Sequence, residues 1–143
     1  MNAVVSTITQ LLPAEIITTD PEQITLYSQD VFTVGPPICA VVRPRNIDEV
    51  QALVRACLER GTPIVTRGGG MSYTSGYIAS APDSVLIDMA SMDDIVEVNL
   101  EDRYVTVEAG CSWQKLYEHL APLGVRTAYW GTVSYTHLRA HET

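Results

Sequence analysis

The apolar side chains of the chain recur with two different spacings, one typical of helices and one typical of strands. Over residues 47–58 they recur every three to four positions, which predicts an amphipathic helix. Asn46 and Glu49 are placed to form a capping box at its start, and Gly61 is placed to end it. The face predicted to be buried comprises Ile47, Val50, Leu53, Val54, Cys57 and Leu58. This is the best-defined helix in the sequence.

Three shorter helices are predicted from the same kind of pattern. Residues 4–12 have helical apolar spacing, and a second helix begins at Asp20-Pro21, where the aspartate can cap and the proline suits the first turn. A third follows Ser112, and Pro122 stops it. The side chains expected to face inward are Ile24, Tyr27 and Val31 around the second helix, and Trp113, Leu116, Tyr117 and Leu120 in the third.

Short apolar runs without helical spacing predict strands at residues 38–42, 63–66 and 85–88. A strand, the helix over 47–58 and a second strand make a βαβ unit, which we expect to be parallel and right-handed. A hairpin over residues 95–109 follows, in which apolar and polar positions alternate as in a half-buried antiparallel sheet. The predicted fold class is therefore α+β.

The charge and composition of the chain argue against several classes of binding partner. The 143 residues carry a net charge of −8 with only 9 Lys and Arg. This argues against nucleic acid and anionic membranes as partners, since both need clustered positive charge. No apolar run is long enough for a membrane span. The three cysteines lack metal-ligand spacing and lie in apolar contexts, so we expect reduced, buried thiols in a cytoplasmic protein and no metal site.

Residues 66–76 carry the strongest candidate chemistry. They follow a predicted strand and contain Gly68, Gly69 and Gly70 in succession. Without Cβ atoms the backbone can turn sharply and point successive N–H groups in one direction, toward a phosphate or pyrophosphate. The hydroxyl of Ser72 stands beside them. A tight surface loop that uses its glycines only for turn geometry is the alternative that composition alone leaves open.

Two common phosphate motifs do not match this loop. A P-loop requires a Lys-Ser/Thr pair after the last glycine, where this chain has Met71 and Ser72. The Rossmann fingerprint requires a third glycine where Tyr73 stands and a helix after the loop, but residues 77–83 have no helical period. What remains is a loop between strands that binds an anion through its own amides.

The order and spacing of several segments resemble a known flavin-binding domain. The matching segments are Val41-Val42-Arg43-Pro44, Asp48-Glu49-Val50, residues 63–72, Val85-Leu86-Ile87-Asp88 and residues 105–113. Together they resemble the FAD-binding domain of the vanillyl-alcohol oxidase and p-cresol methylhydroxylase (PCMH) type, over residues 20–131. No segment is decisive by itself, but their order and spacing together are specific.

The resemblance implies a domain of two α+β subdomains with FAD extended between them. It places a PCMH-type domain over residues 1–132, with a small parallel βαβ subdomain at about 20–93 and the start of an antiparallel α+β subdomain at about 94–132. The second subdomain is expected to be incomplete and to need further strands. Residues 133–143 resemble translated sequencing adapter, and we expect them to be an artefact.

The resemblance also assigns the glycine loop to the cofactor, because members of the family hold the FAD pyrophosphate on the matching loop. The predicted FAD-binding residues are Arg67, Gly68, Gly69, Gly70, Met71, Ser72 and Gly76. Arg67 can either neutralise phosphate or form a structural ion pair. Many relatives place at the position of Met71 a histidine covalently bonded to the flavin; a thioether cannot form that bond, so the implied FAD is non-covalent. His119 is expected to be a surface residue rather than a substitute.

The function implied by the resemblance is FAD binding, as the N-terminal half of a flavin-dependent oxidoreductase that takes a hydride from a small organic substrate. Catalytic residues usually come from a separate substrate domain in this family, so none is predicted and the fragment alone is expected to be inactive. The alternatives are a non-catalytic nucleotide- or anion-binding module and an FAD subunit of a larger redox complex. Glu108, Trp113 and Tyr117 are expected to be structural, and residues 129–131 resemble the approach to a second FAD-contacting loop.

Overall fold

The centre of the fold is a mixed four-stranded sheet. A computed structural model of the chain describes residues 2–70, 72 and 74–128. The strands are β1 (Ile17–Thr18), β2 (Ala40–Val42), β3 (Ile64–Arg67) and β4 (Val85–Asp88). Their order is β1-β2-β4-β3, in which β2, β4 and β3 are parallel and β1 is antiparallel to β2. The three predicted strands are present, and β1 is a two-residue edge strand that is too short to produce a sequence pattern.

The connection between the first two predicted strands differs from a simple βαβ unit. Helix α3 (Ile47–Glu59) joins β2 to β3, which are parallel as predicted, but β4 lies between them. Val85 of β4 pairs with both Ala40 and Ile64. All four residues of β4 are buried, whereas those of β3 are partly exposed. This inner position covers both faces and both edges of β4, which suits its apolar residues Val85, Leu86 and Ile87.

Helices cover both faces of the sheet. Helix α1 (Ala3–Leu11) and α3 share one core with β2 and β4, while α2 (Pro21–Tyr27) contributes Ile24 and Tyr27 to the core on the other face. The side-chain caps of the three helices are Asn2, Asp20 and Asn46. Because α1 packs into the same core as the strands, the packed unit includes residues before position 20. The predicted subdomain boundary near that residue stays a prediction.

Some apolar side chains that were predicted to face inward are exposed instead. Ile47 and Leu58 are 58% and 72% exposed, because they lie in the end turns of α3 and away from the side on which Leu53 and Cys57 are fully buried. Val31 is 70% exposed, because α2 ends before it is reached. Helical spacing identifies an apolar stripe but not how far along the helix the neighbouring elements extend.

A hairpin and a helix form a second, smaller unit. Strands β5 (Ile95–Asn99) and β6 (Tyr104–Val107) pair antiparallel, as the alternation predicts, and helix α4 (Trp113–Leu120) follows with Ser112 as its cap. The buried core of this unit consists of Cys111, Leu116 and Leu120, with Trp113 packed against it. Tyr117 is 45% exposed, so its predicted inward orientation is wrong. The predicted class, α+β with a parallel sheet and a smaller antiparallel one, is confirmed.

Gly110 lies where no side chain fits. A Cβ built there would overlap the carbonyl oxygen of Met89 and lie 2.7 Å from that of Met92, and both are backbone atoms. We therefore expect Gly110→Ala to lower the free energy of unfolding by about 1–3 kcal/mol in urea denaturation, because the backbone must shift to relieve the overlap. The exposed neighbour Ala109 supplies the control, since Ala109→Ser is expected to change the same quantity by under about 0.5 kcal/mol. Equal stabilities of the two variants would contradict this expectation.

Candidate functional site

The glycine loop begins at the carboxyl edge of the parallel strands. Strand β3 ends at Arg67 and runs directly into Gly68. Arg43 follows β2, and Asp88 ends β4, so three charged side chains collect at this edge. Ligands of open parallel sheets bind at the carboxyl ends of the strands. The loop predicted from sequence therefore lies where the architecture favours a ligand.

The backbone of the loop presents hydrogen-bond donors. Gly70 has φ +70°, a conformation that glycine adopts without a Cβ penalty. Its carbonyl oxygen accepts a hydrogen bond from the Tyr77 hydroxyl at 2.8 Å, and burial raises the pKa of that hydroxyl, which keeps it a donor. Within the described part of the chain, nothing accepts a hydrogen bond from the amides of Gly69 and Gly70, and both residues are half-buried. Two successive amides are thus available to an anion.

Ser72 and Gly76 shape the second half of the loop. Ser72 Oγ accepts hydrogen bonds from the amide of Gly76 at 2.9 Å and from that of Thr74 at 3.2 Å. A Cβ at Gly76 would lie 3.2 Å from Ser72 Oγ, so glycine permits this close approach. Since the loop uses the oxygen as an acceptor, the hydroxyl hydrogen is what Ser72 can donate, either to Thr74 Oγ1 at 3.4 Å or to a ligand oxygen.

Arg67 supplies positive charge beside the free amides. Its guanidinium carbon lies 4.7 Å from the ring centre of Tyr27 and 5.5 Å from that of Tyr77, both within cation–π range. The side chain folds over Gly70, where a Cβ would lie 2.6 Å from Arg67 Cζ. Among the residues that the structure describes, no acidic side chain forms an ion pair with Arg67. Of the two roles that the sequence left open, this geometry favours neutralisation of a bound anion.

An ion pair that the sequence did not reveal, between the half-exposed Arg43 and the buried Asp88, stands next to Arg67. Asp88, whose side chain is 1% exposed, accepts hydrogen bonds at Oδ2 from Arg43 Nε at 3.0 Å, from Arg43 Nη2 at 2.7 Å and from the Tyr27 hydroxyl at 2.9 Å. Hydrogen bonding to Asp88 raises the pKa of the Arg43 guanidinium. The only sequence signal for this cluster is that Arg43 and Asp88 each terminate an apolar run.

The segment 28–35 packs against the second half of the glycine loop. Asp30 Oδ1 accepts hydrogen bonds from the amides of Phe32 at 2.8 Å and Thr33 at 2.6 Å. The bond from the Phe32 amide is the largest cause of the lowered pKa of Asp30. Ser75 Oγ in turn donates to Thr33 Oγ1 at 3.1 Å. This contact ties the glycine loop to the turn that follows α2.

The other residues for which the sequence suggested a role lie away from this edge of the sheet or outside the described residues. Glu108 Oε2 accepts a hydrogen bond from the Asp94 amide at 2.9 Å, which agrees with a structural role. His119 is exposed in the last turn of α4, as expected. Met71 and residues 129–131 are outside the described residues, so the predictions made for them stay predictions.

The cysteines are free thiols, of which Cys57 and Cys111 are buried and Cys39 is partly buried. Burial raises the pKa of the Cys39 thiol to about 11. Across the described ranges, no three His, Cys, Asp or Glu side chains come close enough together to hold a metal ion. None of the helices in those ranges has the length and apolar character that crossing a bilayer requires.

The fold and the loop together define a class of protein. At the carboxyl edge of parallel strands, this α+β domain has two amides and an arginine for which the described residues supply no acceptor and no acidic partner. Such an arrangement is typical of a binding domain for an anionic ligand such as a nucleotide. The family model described as "FAD binding domain" matches residues 38–138. The chain belongs to this family of FAD-binding domains, which confirms the family predicted from the sequence. The match runs beyond residue 132, so the predicted domain end there stays a prediction.

Individual relatives agree with this assignment. The mitochondrial D-lactate dehydrogenase [cytochrome] of Arabidopsis thaliana is 36% identical over 85 residues, which are 59% of this chain and 15% of that protein. The 4-ethylphenol oxidase from Gulosibacter chungangensis superposes with a TM-score of 0.76 at 26% identity, covering 85% of this chain and 24% of that one. Substrate-bound p-cresol methylhydroxylase has the same fold, with a TM-score of 0.74 at 22% identity over 85% of this chain and 24% of that one. The chain thus spans at most about a quarter of these relatives' lengths.

Proposed function

We propose that the glycine loop binds the pyrophosphate of FAD. The residues proposed to contact or shape this site are Arg67, Gly68, Gly69, Gly70, Met71, Ser72 and Gly76. The observation that carries the proposal concerns Gly69, Gly70 and Arg67. The described residues offer no acceptor to the amides of Gly69 and Gly70 and no acidic partner to Arg67. Amides and a guanidinium are the donors that phosphate oxygens accept most strongly, so the residues present fit the group.

Each part of the loop has a distinct task in this proposal. The successive amides donate to the pyrophosphate oxygens, and Arg67 neutralises their charge from its position over Gly70. Ser72 donates its hydroxyl hydrogen while its oxygen holds the turn. Gly76 keeps the returning backbone close to Ser72. Because the loop is half-buried rather than open, these interactions are less screened by water than surface contacts are.

The whole protein is proposed to be an FAD-linked oxidoreductase of which this chain is the N-terminal flavin-binding part. Bound flavin supplies hydride-accepting chemistry toward a small organic substrate, and the protein contributes binding and orientation. The names of the relatives above, a lactate dehydrogenase and a phenol oxidase, support this class. The free cysteines support a reducing compartment, and we propose the cytoplasm.

The proposed flavin is held without a covalent bond, because Met71 cannot form the link that a histidine forms in relatives. Full-length protein is expected to purify with, or to bind stoichiometrically, a chromophore with flavin absorbance. Precipitation with acid is expected to leave all of that flavin in the supernatant as FAD. Failure to bind FAD would overturn the proposed function. Flavin fluorescence that stays with the precipitated polypeptide would overturn only the non-covalent attachment.

A further inference from the structure

We propose that Arg43 is a positioning residue which, by occupying Asp88, keeps the charge of Arg67 free for the FAD pyrophosphate. The inference rests on the proposed function and extends it to a residue outside the glycine loop. Arg67 is paired with Asp88 across β3 and β4, yet Asp88 forms its ion pair with Arg43.

Asp88 is the natural ion-pair partner of Arg67. The two residues are directly paired across the parallel strands β3 and β4, and residues paired in this way have their side chains on the same face of the sheet. Both residues also contact Tyr27. The Arg67 guanidinium carbon lies 4.7 Å from the centre of the Tyr27 ring, and the Tyr27 hydroxyl donates a hydrogen bond to Asp88 Oδ2 at 2.9 Å. The charged groups of Arg67 and Asp88 therefore both lie next to the Tyr27 side chain.

The oxygens of Asp88 are already engaged by other donors. Oδ2 accepts two bonds from Arg43 and one from Tyr27, and Oδ1 accepts from the Ala90 amide at 3.2 Å. Because the Arg43 guanidinium already neutralises this carboxylate, and Oδ1 has at most one acceptor position left, Asp88 offers little attraction to a second guanidinium. Arg43 directly follows β2, which lies on the other side of β4 from β3, so it reaches Asp88 without crossing the glycine loop. Arg67 instead rests between two aromatic rings, which attract a cation but do not neutralise it.

Removal of Arg43 is therefore expected to weaken FAD binding indirectly. In Arg43→Gln, Asp88 loses its cationic partner and can capture Arg67 from the neighbouring strand, which draws the guanidinium off Gly70. The expected result is FAD binding weaker by about tenfold or more, the loss that accompanies one charge-assisted hydrogen bond. The dissociation constant is measured by flavin fluorescence titration of the full-length apoprotein.

Two double variants separate positioning from a general structural effect. Arg43→Gln combined with Asp88→Asn removes the competing carboxylate and is expected to restore FAD affinity to near the wild-type value. Arg43→Gln combined with Arg67→Gln is expected to bind FAD no more weakly than Arg67→Gln alone, because the effect of Arg43 passes through Arg67. A purely structural role for the ion pair predicts the opposite in both cases: no rescue, and additive losses.

The outcomes distinguish this inference from the proposed function. If Arg67→Gln does not change FAD affinity, the proposed role of Arg67 fails. If Arg67→Gln weakens binding but Arg43→Gln does not, or if Asp88→Asn gives no rescue, the positioning role of Arg43 is overturned while the proposed function stands. Since a buried carboxylate that loses its cationic partner can prevent folding, Asp88→Asn is also compared with Arg43→Gln/Asp88→Asn. Equal FAD affinities support the inference, and weaker binding by the double variant contradicts it.

Discussion

A Gly70→Ala variant is expected to bind FAD at least about tenfold more weakly than the wild type, because two effects act at one position. Alanine at φ +70° is strained. In addition its Cβ would overlap the Arg67 guanidinium, with Cζ 2.6 Å and Nε 2.8 Å away. Arg67 must then leave its place over the loop, and the amides of the loop turn away from the ligand. Titration of the full-length apoprotein with FAD measures the loss.

Gly124 provides a closely matched control for this variant. It has φ +74°, and a Cβ built there meets no atom of the described residues within 4 Å. Gly124→Ala therefore introduces the same kind of backbone strain, of order 1–2 kcal/mol, but no contact with Arg67. Its FAD affinity is expected to match the wild type, although its stability falls. If Gly70→Ala and Gly124→Ala bind FAD equally well, the loop is not the pyrophosphate site.

The largest expected effect on stability is that of Leu53→Ala. Leu53 is 0% exposed in α3 and belongs to the core between α1 and the sheet. Truncating it leaves a cavity that neighbouring side chains cannot fill completely, so the free energy of unfolding is expected to fall by about 2–5 kcal/mol. Urea denaturation followed by far-ultraviolet circular dichroism measures this change in the full-length protein.

The same helix contains the control. Leu58 is 72% exposed, so Leu58→Ala creates no cavity and is expected to alter the free energy of unfolding by less than about 0.5 kcal/mol. The hydrophobic pattern alone placed both leucines on the buried face and therefore predicts similar losses. Similar destabilisation by the two substitutions would show that the core is not packed as the structure has it.

Local elements were predictable because their causes are local. The capping residues Asp20, Asn46 and Ser112 do cap helices, since a cap bonds an amide only a few positions away. The alternation in residues 104–107 gave the strand and its half-buried face, because side chains alternate with every residue of a strand. Inward orientation was wrong for Val31 and Tyr117, where the pattern lacks information about which neighbours pack there.

The glycine loop was recognisable as a candidate ligand site for the same reason. Its glycines, its mismatch to the P-loop and Rossmann motifs, and its position after a strand can all be read from contiguous sequence. The match of the FAD-binding family model over residues 38–138 agrees with a ligand-binding role for the domain. The amide geometry at Gly69 and Gly70 follows from the residues in the loop itself.

What the sequence determined by itself is the four helices, the strands other than β1, the presence of the glycine loop and the family. Only the tertiary structure decided that β4 lies between β2 and β3, that Arg67 is stacked between Tyr27 and Tyr77, and that Asp88 is held by Arg43. The physical reason is separation along the chain. Tyr27 and Asp88 are 61 residues apart, and Arg43 and Asp88 are 45 apart, so no local spacing encodes their contact. The strand order places Arg43 and Arg67 on either side of Asp88, and the packing of α2 against the sheet adds Tyr27, so these contacts form only when the tertiary structure does.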